Sequence, residues 1–99
     1  MNLPLSFNNR VFSDLRGIIA FYELENGPSL ADEFHAELIS MLDQVLENPK
    51  GFHYFELDLR RVNLKRFPYH FLYRINPTSV RILVLRHNSR HPDYGTQRI

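Results

Sequence analysis

The sequence predicts an α+β domain. A short N-terminal strand and an antiparallel helical hairpin pack on one face of an antiparallel sheet of three to four strands, in the order strand, helix, helix, strand, strand, strand. Three observations carry this prediction. Two apolar stripes at helical spacing fill the first half of the chain, period-two runs fill residues 60–87, and the charge is split by sign between the halves.

Leu3, Leu5 and Phe7 alternate with Pro4 and Ser6, and the proline suits a strand start or a sheet edge. Asn8 and Asn9 are good helix N-caps. After them Val11, Phe12, Leu15, Ile18, Ile19 and Tyr22 recur at the spacing of an amphipathic helix, which Gly27 and Pro28 end. Ser29 with Asp32 resembles a capping box, and Ala31, Phe34, Leu38, Met41 or Leu42, and Val45 form the stripe of a second helix that stops at Asn48 and Pro49. A two- or three-residue connection makes the two helices an antiparallel pair. Their acidic residues and His35 fall largely off the stripes, as on a solvated outer face.

Residues 50–59, with Phe52, Tyr54, Phe55, Leu57 and Leu59, support a loop that tucks aromatics under the sheet as well as a short strand extension, and are read as a packed connection. From Arg60 to His87 three strands follow. Val62 and Leu64 alternate with Arg61, Asn63 and Lys65, while Tyr69, Phe71, Tyr73 and Ile75 alternate with His70, Leu72 and Arg74. Phe67-Pro68 and Asn76-Pro77-Thr78-Ser79 supply the turns. Val80, Ile82 and Val84 share one face of the last strand with Arg81 opposite, and Leu83 and Leu85 make it apolar on both faces, as a central strand requires. The tail, residues 88–99, is polar and aperiodic.

With 99 residues and 43% hydrophobic content, the chain is expected to form one domain over residues 1–99 with a core that needs neither metal nor disulfide. Cysteine is absent, which removes thiolate nucleophiles and cysteine-ligated zinc. No apolar run approaches the roughly 20 residues of a membrane helix, and a cytoplasmic location without membrane partners is expected. No cofactor is expected.

The net charge of +1 conceals a segregation: residues 1–58 hold three basic and ten acidic side chains, whereas residues 59–99 hold nine basic and one acidic. The basic residues recur opposite the apolar ones on the strands, so the sheet face away from the helices is expected to lie open and attract an anionic partner.

The helix phrase SDLRGIIAFYE, the helix ending LENP, the strand phrase RRVNLKRFPYHFLYRI and the closing RHNSRHPDYG occur in the order found in the RelE/ParE superfamily of type II toxin-antitoxin toxins, which the chain resembles over nearly its whole length. The resemblance implies a small bacterial toxin that inhibits growth and is neutralised by a cognate antitoxin. The antitoxin's C-terminal segment wraps the toxin, and the two can form a hetero-oligomer. Some members enter the ribosome and cut messenger RNA without a metal, as mRNA interferases; others poison DNA gyrase without nuclease activity. Of these, ribosome-dependent cleavage is the first expectation here and gyrase inhibition the alternative.

Metal-free RNA cleavage needs a base for the 2′-hydroxyl, positive charge for the phosphorane and an acid for the leaving oxygen. Matched by position to RelE-like nucleases, the resemblance offers Arg61 and Lys65 on the strands, Arg90 and Tyr94 in the closing phrase, and His70 where the nuclease has an arginine. Histidine can serve as base or acid near neutral pH. Arg74, Arg81, Arg86, His87 and His91 are the residues expected to bind antitoxin or nucleic acid. Each has a plainer reading. Lys65 and Arg66 beside a turn can merely solubilise an edge, His70 and Tyr73 can be packing residues, and Arg74 and Arg81 can cover apolar surface with their stems. His87 and His91 have a spacing that on a helix would suit zinc, but they flank a strand end and a proline with no third ligand.

Overall fold

A computed structural model describes residues 2–99. The elements run β1 (Leu5–Phe7), α1 (Arg10–Asn26), α2 (Pro28–Glu47), a 3-10 turn (Pro49–Gly51), β2 (Tyr54–Glu56), β3 (Leu59–Asn63), β4 (Tyr69–Ile75) and β5 (Val80–His87). The sheet has five strands in the order β1-β5-β4-β3-β2, with β1 parallel to β5 and the other pairs antiparallel. The fold is therefore the α+β arrangement expected, with more strands than expected. The extra strand is β2, which comes from the stretch read as a connection.

The hairpin turns more sharply than its sequence suggests. Gly27, at φ 76°, closes α1 by donating its N–H to the Glu23 carbonyl and also serves as N-cap of α2, so one residue joins the two helices. Pro28 takes the first helical position, where its missing N–H costs nothing. Ser29 then lies inside α2, and the expected capping box does not form. At the start of α1 it is Asn8 that caps, its Oδ1 accepting from the Arg10 N–H at 2.9 Å.

The helices cover the sheet face made by Val62, Leu64, Tyr69, Phe71 and Tyr73, as the alternation requires. Phe34, Tyr22, Phe67 and Tyr69 meet there, with Phe34 edge-on to Phe67 at 5.2 Å and to Tyr69 at 5.4 Å. Fully burying a ring of this size contributes about 1.5–3 kcal/mol, so this cluster anchors the hairpin. Phe12, placed on the stripe by its spacing, is instead half exposed beside Phe7.

β5 departs from strict alternation. Leu72 pairs with Val84 and Tyr73 with Ile82, so Leu83 is an extra residue, a β-bulge. Val80 and Ile82 face the helices, Leu83 and Val84 both turn to the opposite face, and Leu85 returns to the helices. The bulge thereby moves Arg86 onto the outer face, opposite His70. Unbroken alternation would have put its guanidinium under the helices with Ile82.

That outer face is covered. Leu59, Leu72, Leu83 and Val84 form a second small core beneath Phe55 and Tyr94, and the C-terminal tail lies over it. The expectation of an open basic face is thus corrected: the bulge leaves two apolar side chains there, and burying them draws in both the β2 hairpin and the tail.

Candidate functional site

His70 and Arg86, neighbours on β4 and β5, are the two buried polar residues of the chain among those described, at 1% and 3% exposure. The His70 Nδ1 lies 2.8 Å from the Asn88 Oδ1, and the Arg86 Nε–H donates to the His70 Nε2 at 2.8 Å. A guanidinium can only donate, so Nε2 carries the lone pair and Nδ1 the proton. The ring is neutral and both nitrogens are occupied. Burial, with nearby Arg61, Arg86 and His87 and against the Asn88 hydrogen bond, lowers its pKa to about 4. The ring that the sequence offers as acid or base thus has its lone pair on the Arg86 Nε–H and lies 1% exposed.

Arg86 uses its remaining donors on the tail. Its Nη1 donates to the carbonyls of Pro92 and Tyr94, each at 2.8 Å, and its guanidinium lies 5.3 Å from the centre of the Phe55 ring. The side chain offered by the sequence for nucleic-acid or antitoxin binding thus makes its contacts within the chain. The tail closes over the bulge at Gly95, whose φ of 82° favours glycine and where a Cβ would come within 2.5 Å of the Val84 Cγ2.

A second buried group fixes the other side of the tail. The Asp14 carboxylate on α1 meets the Arg98 guanidinium in two contacts, Nη1 to Oδ2 at 2.7 Å and Nη2 to Oδ1 at 3.3 Å, with side chains only 5% and 9% exposed. The same carboxylate accepts from the Leu85 N–H at 3.1 Å and the Tyr94 hydroxyl at 3.3 Å, while the Arg98 Nη1 also donates to the Leu83 carbonyl at 3.1 Å. β1 ends at Phe7, so these β5 edge groups beyond Ile82 have no strand partner; the ion pair supplies one. Burial pushes the Arg98 pKa down, but the hydrogen bond and charge of Asp14 more than offset this and raise it.

Between α1 and this end of β5 lies an open groove of about 400 Å³. Ile18, Phe21, Tyr69 and Leu85 give it an apolar floor and wall, Ser13 and Gly17 its helical rim, and His87, Arg90 and Tyr94 its opposite rim. The Arg90 guanidinium stacks on Tyr94, 4.1 Å from the ring centre, and forms no ion pair among the described residues. The His87 Nδ1 accepts from the Ser89 N–H at 3.0 Å, which in the neutral ring leaves the proton on Nε2 as a donor.

Of the residues put forward for catalysis, the structure thus brings Arg90 and Tyr94 together with His87. The others stand apart. Arg61 is on the outer face of β3, its Nε–H donating to the Asn63 Oδ1 at 2.8 Å. Lys65 lies in the β3–β4 turn, where its backbone N–H is held by the Glu37 carboxylate of α2; it was expected on the strand face, but β3 ends at Asn63. Arg74 pairs with Asp58 at 3.2 Å, and the Arg81 Nη2 donates to the terminal Ile99 carbonyl at 3.2 Å. His91 is exposed beside Asp93. Among the described residues no group of three His, Asp or Glu side chains could hold a metal ion, and no helix is long and apolar enough to cross a membrane.

Sequence reasoning missed Asp14 and Arg98. Asp14 sits inside the phrase SDLRGIIAFYE directly beside a residue of the apolar stripe, which was the available signal; Arg98 in an aperiodic tail offered none.

The same fold occurs in two solved structures. A solved structure described as the chromosomal ParDE toxin-antitoxin system from P. aeruginosa superposes with a TM-score of 0.77 at 18% identity, covering 86% of this chain and 95% of that one. A mutant of the E. coli toxin RelE in the free state superposes with a TM-score of 0.58 at 17% identity, covering 90% of this chain and 86% of that one. At these identities the likeness is one of fold. No protein-family model and no curated protein matches the sequence.

Proposed function

We propose that this chain is the toxin component of a type II toxin-antitoxin system, held inactive by a co-expressed antitoxin, and that it arrests growth by binding its target rather than by cutting RNA. The fold shared with a ParDE system and with RelE supports the first half of this reading. One observation carries the second half: the buried hydrogen bond from the Arg86 Nε–H to the His70 Nε2 removes the histidine from proton transfer. A general base must reach the proton it takes, and His70 reaches only Arg86 and Asn88. The closer superposition on the ParDE structure agrees with a ParE-like inhibitor of DNA gyrase.

Ribosome-dependent cleavage of messenger RNA is the second reading, and one observation favours it. Arg90, stacked on Tyr94 beside His87, places a free cation, a phenol and an imidazole on one rim of the groove. Expressing the chain from an inducible promoter, with translation and plasmid supercoiling followed separately, distinguishes the two. A gyrase inhibitor alters supercoiling first and leaves message 5′ ends unchanged, whereas a nuclease creates new 5′ ends that disappear in Arg90→Ala. Normal growth on induction would overturn both readings.

A further inference from the structure

We propose that the apolar cavity enclosed by α1, α2 and the helix-side face of the sheet is a binding site for one small apolar molecule, the size of a single aromatic ring. The assignment does not rest on the toxin reading, and it concerns a different part of the molecule from the groove and tail described above.

The course of β5 gives the first argument. Ile82 and Leu85 floor the cavity together with Phe71 of β4. In an unbroken strand the side chain two residues after Ile82 would stand on this same face. The bulge sends both Leu83 and Val84 to the other face, so no β5 side chain fills the stretch between Ile82 and Leu85. The space is left by the strand's own geometry.

Two polar anchors keep the helix from closing it. The Asn8 N–H, just before α1, donates to the Ile82 carbonyl at 2.9 Å, and the Asp14 carboxylate within α1 accepts from the Leu85 N–H at 3.1 Å. These bonds tie α1 to β5 at the two floor residues, and the buried pair with Arg98 fixes Asp14 in turn. Collapse of the helix onto the sheet would break them. A void whose surroundings cannot relax stays open.

The lining decides what the space can hold. The cavity measures about 160 Å³, and ten of its eleven lining residues are aliphatic or aromatic; the eleventh, His35, stands exposed at the outer edge. A buried water needs two to four polar partners, which such walls do not offer, and an apolar cavity of about 150 Å³ engineered in another protein stays dry and takes up benzene. Phe12 and Ile39, 49% and 44% exposed, mark the opening between the helices, with the Phe12 ring resting against Phe7, 5.5 Å between centres. Pockets for drug-sized ligands begin at about 300 Å³, so this one suits a single ring and leaves a lipid chain mostly outside.

The test is a titration of the full chain, labelled with carbon-13 in its Ile, Leu and Val methyl groups, with benzene and with pyrazine, which has the same shape but carries two ring nitrogens. Benzene is expected to shift the methyl resonances of Val11, Leu38, Ile82 and Leu85 saturably and to raise the melting temperature. Pyrazine should bind about tenfold or more weakly, because its nitrogens lose water without finding donors. Val11→Phe, which puts a ring of the chain's own into the space, should abolish the benzene shifts in a folded spectrum; where that variant does not fold, the shifts of the unsubstituted chain decide. Shifts confined to the exposed Leu24 and Leu57, equal binding of pyrazine, or benzene binding retained in folded Val11→Phe would overturn the proposal. So would binding seen only in Phe12→Ala, since the Phe12 ring would then fill the space itself. Each outcome is independent of whether the chain arrests growth.

Discussion

The Arg86 Nε–H donates to the His70 Nε2 across the β4–β5 pair at 2.8 Å, in a place where neither side chain meets solvent. An imidazole and a guanidinium can share a buried site in this way only while the imidazole is neutral. Protonation would set two cations against each other and remove the acceptor, so the bond couples stability to pH.

The pKa of His70 is lowered by burial to about 4 in the folded chain, against about 6.5 when unfolded. Between these values the unfolded state binds more protons, so stability is full above pH 6.5 and falls as pH drops towards 4. The loss should reach roughly 2–3 kcal/mol. Urea unfolding between pH 4 and pH 7 is the measurement, and His70→Gln should flatten the profile over this window; an equally steep profile in the variant would contradict the assignment.

Arg98→Met strands the Asp14 carboxylate in a buried site. Breaking such a pair from one side costs about 3–5 kcal/mol, and here the tail should also detach. Asp14→Leu combined with Arg98→Met should recover much of the loss because no unpaired charge is left, and thermal unfolding of the two variants checks the difference.

Gly95→Ala meets two obstacles, a left-handed φ of 82° and a Cβ 2.5 Å from the Val84 Cγ2. Strain at such a position costs of order 1–3 kcal/mol, and adding Val84→Ala should relieve the steric part alone. Hydrogen exchange of the tail amides, which should speed up in Gly95→Ala, reports whether the damage is local.

The Tyr73 hydroxyl donates to the Pro49 carbonyl beneath the sheet, and burial pushes its pKa up to about 12. Tyr73→Phe leaves that carbonyl unpaired and should cost about 1–3 kcal/mol by chemical denaturation at neutral pH, and it should remove the loss of stability that the raised phenol pKa gives the wild type as pH rises above 10.

The sequence revealed most where period and burial coincide. Tyr69, Phe71 and Tyr73 alternate with Arg74 and Leu72, and the structure sets them under the helices as that alternation requires. It misled where a single backbone irregularity reverses the parity: the bulge at Leu83 exchanges the faces of Val84, Leu85 and Arg86, and no residue type announces it. The site was hidden for a related reason. Arg86 and His70 looked like exposed members of a basic face because their pattern is polar opposite apolar; the tail that buries them has no periodicity and few apolar residues, and it is fastened through Tyr94, main-chain carbonyls and a salt bridge. Arg90 and Tyr94 were legible only through a resemblance of local phrases, and their grouping with His87 and Gly17 depends on how that tail folds back.

The central claim, a toxin that acts by binding with His70 as a structural residue, is tested most directly by adding purified chain to DNA gyrase in a supercoiling assay. The predicted result is accumulation of gyrase-DNA cleavage complexes in proportion to toxin, unchanged for any His70→Gln protein that remains folded. Normal supercoiling at excess toxin, together with message cut in a translating extract and cleavage lost in His70→Gln, would contradict it.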